Sequence, residues 1–209
     1  MSTTTQRGDT TLLMVGTRKG LFMATSDRRR DTWSWTGPHF PMEDVYSVLC
    51  DTRGEAPRLL AGCGSSWFGP QVRRSDDVGA SWTDIRHNLP SEFGFPVVVD
   101  PAAPGTAYLF PIEDAGARWP VDGHARVWRT RDEGASWEPL GEGRLPDDYR
   151  VAVMRDAMCA DEWGTRGAGT GLYFGGRNGA VWASPDAGET WAEVKRDLPD
   201  VMCVRAYAL

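Results

Sequence analysis

Three eight-residue runs in this chain share one pattern: SDDVGASW (75–82), TRDEGASW (130–137) and SPDAGETW (184–191). Each reads Ser/Thr-x-Asp-x-Gly-x-Ser/Thr-Trp. A fourth run, SDRRRDTW (26–33), keeps the Ser, Thr and Trp but has Arg at the Asp and Gly positions. The four tryptophans, Trp33, Trp82, Trp137 and Trp191, lie 49, 55 and 54 residues apart. Pro41, Pro90, Pro146 and Pro199 keep the same beat at 49, 56 and 53. A period of that length means stacked copies of one supersecondary unit, each burying its apolar face against the next.

Within each unit, apolar segments bounded by Gly or Pro read as strands. The second unit has VYSVL, RLLAGC, PQVRRS and SWTDI; the third has FGFPVVV, GTAYLFPI, ARVWRT and SWEPL; the fourth has RVAVM, GLYFGG, AVWASP and TWAEV. No window holds an i, i+3, i+4, i+7 apolar stripe, so the class is all-β. A repeated four-stranded antiparallel unit of this size is the mark of a β-propeller blade. The first unit, LLMVGT, LFMATS and WSWTGP, has no innermost strand, and MCVRAYAL at the C-terminus is an inner-type strand with no blade after it. Joining them predicts a single domain over residues 1–209 with four blades: 11–36 with 201–209, 44–86, 93–139 and 150–194. The alternative is an arc of wider-ring blades that leaves a gap, whose apolar faces would favour a homo-oligomer.

The run itself suits a hairpin turn between the third and fourth strands. Its Gly can adopt positive φ, and its Asp and Ser/Thr side chains can bond the turn's own backbone. A feature repeated once per blade is a scaffold device, so Ser75, Asp77, Gly79, Trp82, Thr130, Asp132, Gly134, Trp137, Ser184, Asp186, Gly188 and Trp191 are read as structural. A calcium loop would need three further oxygen ligands per copy that are not evident, and His39, His87 and His124 form no ligand set. No metal and no cofactor is expected.

Composition narrows the partners. The 209 residues carry a net charge of -6, with 41% hydrophobic residues, which gives a core-forming chain and no basic footprint for nucleic acid or an anionic membrane. No apolar run approaches the roughly 18 residues that span a bilayer. The N-terminus MSTTTQRGDTT lacks a secretory pattern, so a cytoplasmic location is expected. Cys50, Cys63, Cys159 and Cys203 are scattered, with no C-x-x-C pair, and read as small buried strand residues.

The boxes, together with VGTRKGLF (15–22), WFGPQVRRSDDVGASW (67–82), LPSEFGFPVVVDP (89–101) and LYFGGRNGAVWASPDAGETW (172–191), resemble the sialidase-like Asp-box (BNR repeat) β-propeller family. These are the WD40/YVTN/BNR-like proteins often described as glycosyl hydrolases. The resemblance covers nearly the whole chain and implies a fold rather than an activity, because Asp-boxes occur in enzymes and non-enzymes alike. Such relatives carry about six or seven blades; here the second unit resembles an early blade through its box and a late one from Leu89, as if internal repeats were missing.

Successive turns of a meander alternate faces, so the boxes lie opposite the turns between strands two and three. By analogy with the family, a central pocket opens on that second face. Its candidate ligand-binding residues are Arg18, Lys19, Trp67, Arg118, Trp119 and Arg177, with Arg18 and Arg177 in equivalent turns. Converging guanidinium groups suit a carboxylate. A sialidase would also need a third Arg, from Arg118 or Arg150, and a catalytic set for which Tyr149, Glu92 and Asp148 are the candidates. The Phe-Arg-Ile-Pro signature of sialidases is absent. Two readings follow: a binding or scaffold propeller taking a glycan, small anionic molecule or partner, and a glycoside hydrolase of exo-sialidase type.

Overall fold

The computed structural model describes residues 10–54, 56–65, 69–91, 93–113 and 116–207. They form four antiparallel sheets, each a meander in which strands pair with their sequence neighbours. The first sheet has three strands: β1 (Thr11–Thr17), β2 (Gly20–Ser26) and β3 (Ser34–His39). The second comprises β4 (Asp44–Asp51), β5 (Arg58–Ser65), β6 (Gly69–Ser75) and β7 (Thr83–Asp84). The third comprises β8 (Phe93–Val99), β9 (Ala107–Ile112), β10 (Val127–Thr130) and β11 (Glu138–Leu140). The fourth comprises β12 (Val153–Ala160), β13 (Leu172–Gly176), β14 (Val181–Ser184) and β15 (Ala192–Lys195). This is the all-β blade architecture that the repeat predicts.

The core is three separate clusters, one per junction between consecutive sheets. Leu21 and Met23 of the first sheet meet Val45, Leu59 and Cys63 of the second. Leu60, Val72 and Ile85 of the second meet Leu109 and Trp137 of the third. Tyr108, Phe110, Ile112 and Val127 of the third meet Val153, Leu172, Phe174 and Trp191 of the fourth. Alternation along β9 explains how one strand serves two junctions: Tyr108 and Phe110 point one way and Leu109 the other, and the whole strand is buried. Each such side chain stabilises the fold by about 1.5–3 kcal/mol.

Polar contacts fasten the junctions as well. Arg74, just before the second sheet's box, donates from Nη1 to the Glu133 carbonyl at 2.6 Å. Arg129, buried and just before the third sheet's box, donates to the Ala187 carbonyl at 3.0 Å. Glu133 and Ala187 occupy the same position in their boxes. Asn88 bridges the second and third sheets by accepting from the Trp137 N–H at 3.0 Å and donating to its carbonyl at 2.6 Å. A further device recurs at the end of the inner strands. Asp51, Asp100 and Asp161 each accept the backbone N–H two residues on, and the last two also take the hydroxyls of Tyr108 and Tyr173.

Three expectations are corrected. The fourth sheet's inner strand was expected at 150–154 but runs from Val153 to Ala160. Of the preceding residues, Tyr149 is engaged by the β9–β10 loop, its N–H bonding the Gly123 carbonyl at 2.6 Å, while the Ala152 carbonyl accepts from the Arg177 N–H at 3.1 Å in continuation of the register that sets Val153 opposite Gly176. The C-terminal segment does not pair with β1 among the described residues. Cys203 instead bridges Asp156 in parallel, and the Val204 N–H donates to the Asp156 carbonyl at 2.8 Å. The free edge of β12 lies close by in the chain, whereas β1 is three junctions away. The sheets pack in chain order, and no core cluster of described residues joins the fourth sheet to the first. Lastly, Cys63 and Cys159 are buried but Cys50 and Cys203 are exposed, and all four are free thiols.

Candidate functional site

On the face opposite the boxes, the third and fourth sheets frame a shallow depression of about 470 Å³. Three elements build it. The β9–β10 loop brings Arg118 and Trp119, the stretch before β12 brings Arg150, and the β13–β14 turn brings Arg177 and Asn178; Asp200 comes from the C-terminal segment. The loop is held in shape by the Glu113 N–H donating to the Trp119 carbonyl at 2.8 Å, and by the Ala125 N–H donating to Pro146 at 3.0 Å. Arg118 sits at φ 57, a left-handed conformation that folds the loop back.

The depression is rich in guanidinium groups. Arg150 lies 5.9 Å from the centroid of the Trp119 ring, and its Nε is 3.8 Å from the exposed Asp148 carboxylate. Arg177 donates from Nε and Nη2 to Asp200 Oδ2 at 2.8 and 2.6 Å. Arg118, Trp119 and Arg177 therefore line one space. Arg18 and Lys19 do not line it: both sit exposed on the β1–β2 turn of the first sheet, where the Lys19 N–H bonds Thr17 Oγ1 at 3.0 Å. Trp67 and Glu92 lie outside the described residues.

Of the candidate catalytic groups, Tyr149 and Asp148 lie among the described residues and have opposite surroundings, one buried and one exposed. The Tyr149 hydroxyl is buried against Gly176 and has no hydrogen-bond partner among the described residues. Burial, reinforced by Glu193, pushes its phenol well above the ordinary value, the reverse of what an activated nucleophile needs. Asp148 is almost fully exposed and faces Arg150. Among the described residues no group of three His, Cys, Asp or Glu side chains could hold a metal ion.

The box carboxylates are engaged in their own turns. Asp77 accepts Ser75 Oγ at 2.8 Å, the Ser81 N–H at 2.8 Å and Ser81 Oγ at 2.5 Å. Asp132 and Asp186 repeat all three bonds with Thr130 and Ser136, and with Ser184 and Thr190. The Ser75 hydroxyl takes the Gly79 N–H at 2.7 Å. The degenerate first run makes a different turn, with the Arg29 N–H donating to Asp27 Oδ1 at 2.9 Å. Trp137 Nε1 reaches back to the Ile85 carbonyl at 2.8 Å, while Trp191 Nε1 bonds Gly188 within its own turn.

Sequence reasoning missed Asp200 and the arginines ahead of the boxes. Both left a signal. Arg precedes the second and third boxes in RSDDVGASW and RTRDEGASW, and Asp200 follows a Leu-Pro pair, in the class of connection that faces the depression.

No protein-family model and no curated protein matches this chain. Solved structures do resemble it. The Trypanosoma rangeli sialidase in complex with sialic acid matches 90% of this chain and 36% of its own, at 15% identity and a TM-score of 0.51. The NanB sialidase of Streptococcus pneumoniae matches 86% and 29%, at 16% identity and a TM-score of 0.51. A GH74 enzyme of Niastella koreensis matches 88% and 29%, at 14% identity and the same TM-score. The chain thus spans about a third of the length of these proteins, and it has a sialidase-like β-propeller fold.

Proposed function

We propose that this chain is a binding module on a sialidase-like propeller fold, taking a small acidic ligand such as a carboxylate-bearing sugar. The observation that carries the reading is the convergence of Arg118, Arg150 and Arg177 beside Trp119 in one solvent-open depression. Guanidinium groups hold a carboxylate by charge-assisted, often bidentate, bonds. The face of Trp119 offers an apolar surface on which a sugar ring can lie. Binding is favoured over hydrolysis because Tyr149 is buried with its phenol held neutral, and Asp148 is open to water.

Calorimetric titration with sialyllactose and with neutral lactose tests this. The acidic sugar is expected to bind and the neutral one to bind at least about tenfold more weakly, the discrimination of one lost charged contact. Arg118→Ala and Arg177→Ala should each reduce the acidic ligand's affinity by a similar factor, with Arg18→Ala as the unaffected control. Equal binding of both sugars would sink the proposal. Cleavage of a fluorogenic sialoside by the purified chain would replace it with the hydrolase reading.

A further inference from the structure

The β9–β10 loop borders a second depression, of about 370 Å³, whose charge is opposite to that of the first. Asp122 and His124 of the loop edge it on one side, and Pro90, from the connection after the second sheet, on another. The two depressions share this loop but no lining residue among those described.

Strand register explains the apolar wall. Trp128 pairs with Leu109 across one edge of β10 and with Pro139 across the other, so the three side chains stand on one side of the third sheet. Pro111, two residues after Leu109, stands there too. The second sheet buries Leu109 on this side. Its outer strand, β7, is only two residues long, and the chain then turns, with the Leu89 N–H donating to the Arg86 carbonyl at 2.8 Å. Half-buried Trp128, with Pro111 and Pro139, is thereby left bordering open space.

The charge around this wall is one-sided. Arg126, whose side chain is only 16% exposed, donates to Asp147 Oδ1 at 2.8 Å and to the Ala125 carbonyl at 2.7 Å. Asp147 therefore balances the guanidinium, and His124 Nδ1 lies 3.2 Å from the same oxygen. Asp122 and Glu142 are exposed and have no ion-pair partner among the described residues. Both stand on fixed turns. Around Asp122 the Gly123 N–H donates to the Pro120 carbonyl at 2.9 Å and the His124 N–H to Val121 at 3.1 Å. Around Glu142 the Arg144 and Leu145 N–H groups donate to the Gly141 carbonyl at 3.0 and 2.8 Å. With histidine neutral, these two carboxylates are the uncompensated charge of the depression.

We infer that this depression is a second binding site, for a small organic ammonium ion with an aromatic or other apolar body. Asp122 and Glu142 attract the ammonium group, and the body lies on the Trp128, Pro111 and Pro139 wall. An indole ring suits both parts, since it offers apolar surface and attracts cations. The volume falls in the range of small-molecule sites. An anion is repelled here, so the preference is the reverse of that at the Arg118–Arg177 depression.

Phenethylamine, phenethyl alcohol and phenylacetate share one body and differ in charge, and titrating each by amide chemical shifts in NMR tests the inference. The amine is expected to give saturable shifts at the amides of Asp122, His124 and Trp128. The alcohol should bind at least about threefold more weakly, the scale of exposed charge contacts, and phenylacetate more weakly still. Asp122→Asn and Glu142→Gln keep the side-chain shape and remove the charge. Each should weaken the amine at least about twofold while leaving the alcohol unchanged, which separates lost charge from lost fold. No saturable shift with the amine up to about 20 mM, equal binding of amine and alcohol, or tighter binding of phenylacetate would each overturn the inference. So would wild-type amine affinity in both variants, or shifts confined to the amides of Arg118 and Arg177.

Discussion

At the residue scale, the same side chains serve as turn-formers in one place and as ligand groups in another, and hydrogen-bond engagement tells them apart. The hydroxyl and N–H of Ser81, with the Ser75 hydroxyl, hold the Asp77 carboxyl down to about 2. Asp132 is lowered by Ser136 and Thr130 in the same way. In Asp186, burial works against ionisation and the bonds from Thr190 and Ser184 outweigh it. A carboxyl with a folded value below its unfolded one, near 4, stabilises the fold fully above that unfolded value. As pH falls through this window toward about 2 for Asp77, the unfolded chain takes up protons first and stability drops. Urea-unfolding midpoints measured down this range should fall, and Asp77→Asn should flatten the descent; an unchanged slope would refute the turn role. Asp200 is engaged differently, as a counter-ion already seated on Arg177. It competes with any ligand carboxylate, so Asp200→Asn should tighten sialyllactose binding several-fold, the scale of an exposed ion pair of up to about 1 kcal/mol. Weaker binding by Asp200→Asn would mean that Asp200 contacts the ligand instead.

At the scale of elements, a box is both a hairpin turn and a packing surface. Gly188 has φ 92, and a Cβ there would press into Leu140 of the preceding sheet. Gly188→Ala therefore meets backbone strain and overpacking together and should cost about 2–4 kcal/mol, read as a lower urea midpoint with an unchanged slope. Gly143, at φ 66 with nothing within 4 Å of an added Cβ, separates the two causes: Gly143→Ala should cost only about 1 kcal/mol. The first run, with Arg30 at the glycine position, fits this account, since no described sheet presses on it. The turn chemistry was legible in the sequence because it acts within eight residues. The packing half was not, because Leu140 and Gly188 are 48 positions apart and meet only when two sheets stack.

At the scale of the whole molecule, two of the three internal junctions carry an arginine clamp, Arg74 on the Glu133 carbonyl and Arg129 on the Ala187 carbonyl. The repeat alone determined the all-β class, the number of units and the place of each box, because periodic apolar strands and turn residues are local signals that the chain must satisfy segment by segment. Only the tertiary structure decided that the C-terminal segment lies along β12 rather than β1. It likewise decided that Arg177 shares its space with Arg118, Trp119 and Asp200 while Arg18 stands apart. Those outcomes depend on how the sheets stack on one another, a sum of side-chain volumes and junction contacts between residues far apart in sequence, and no local pattern encodes it.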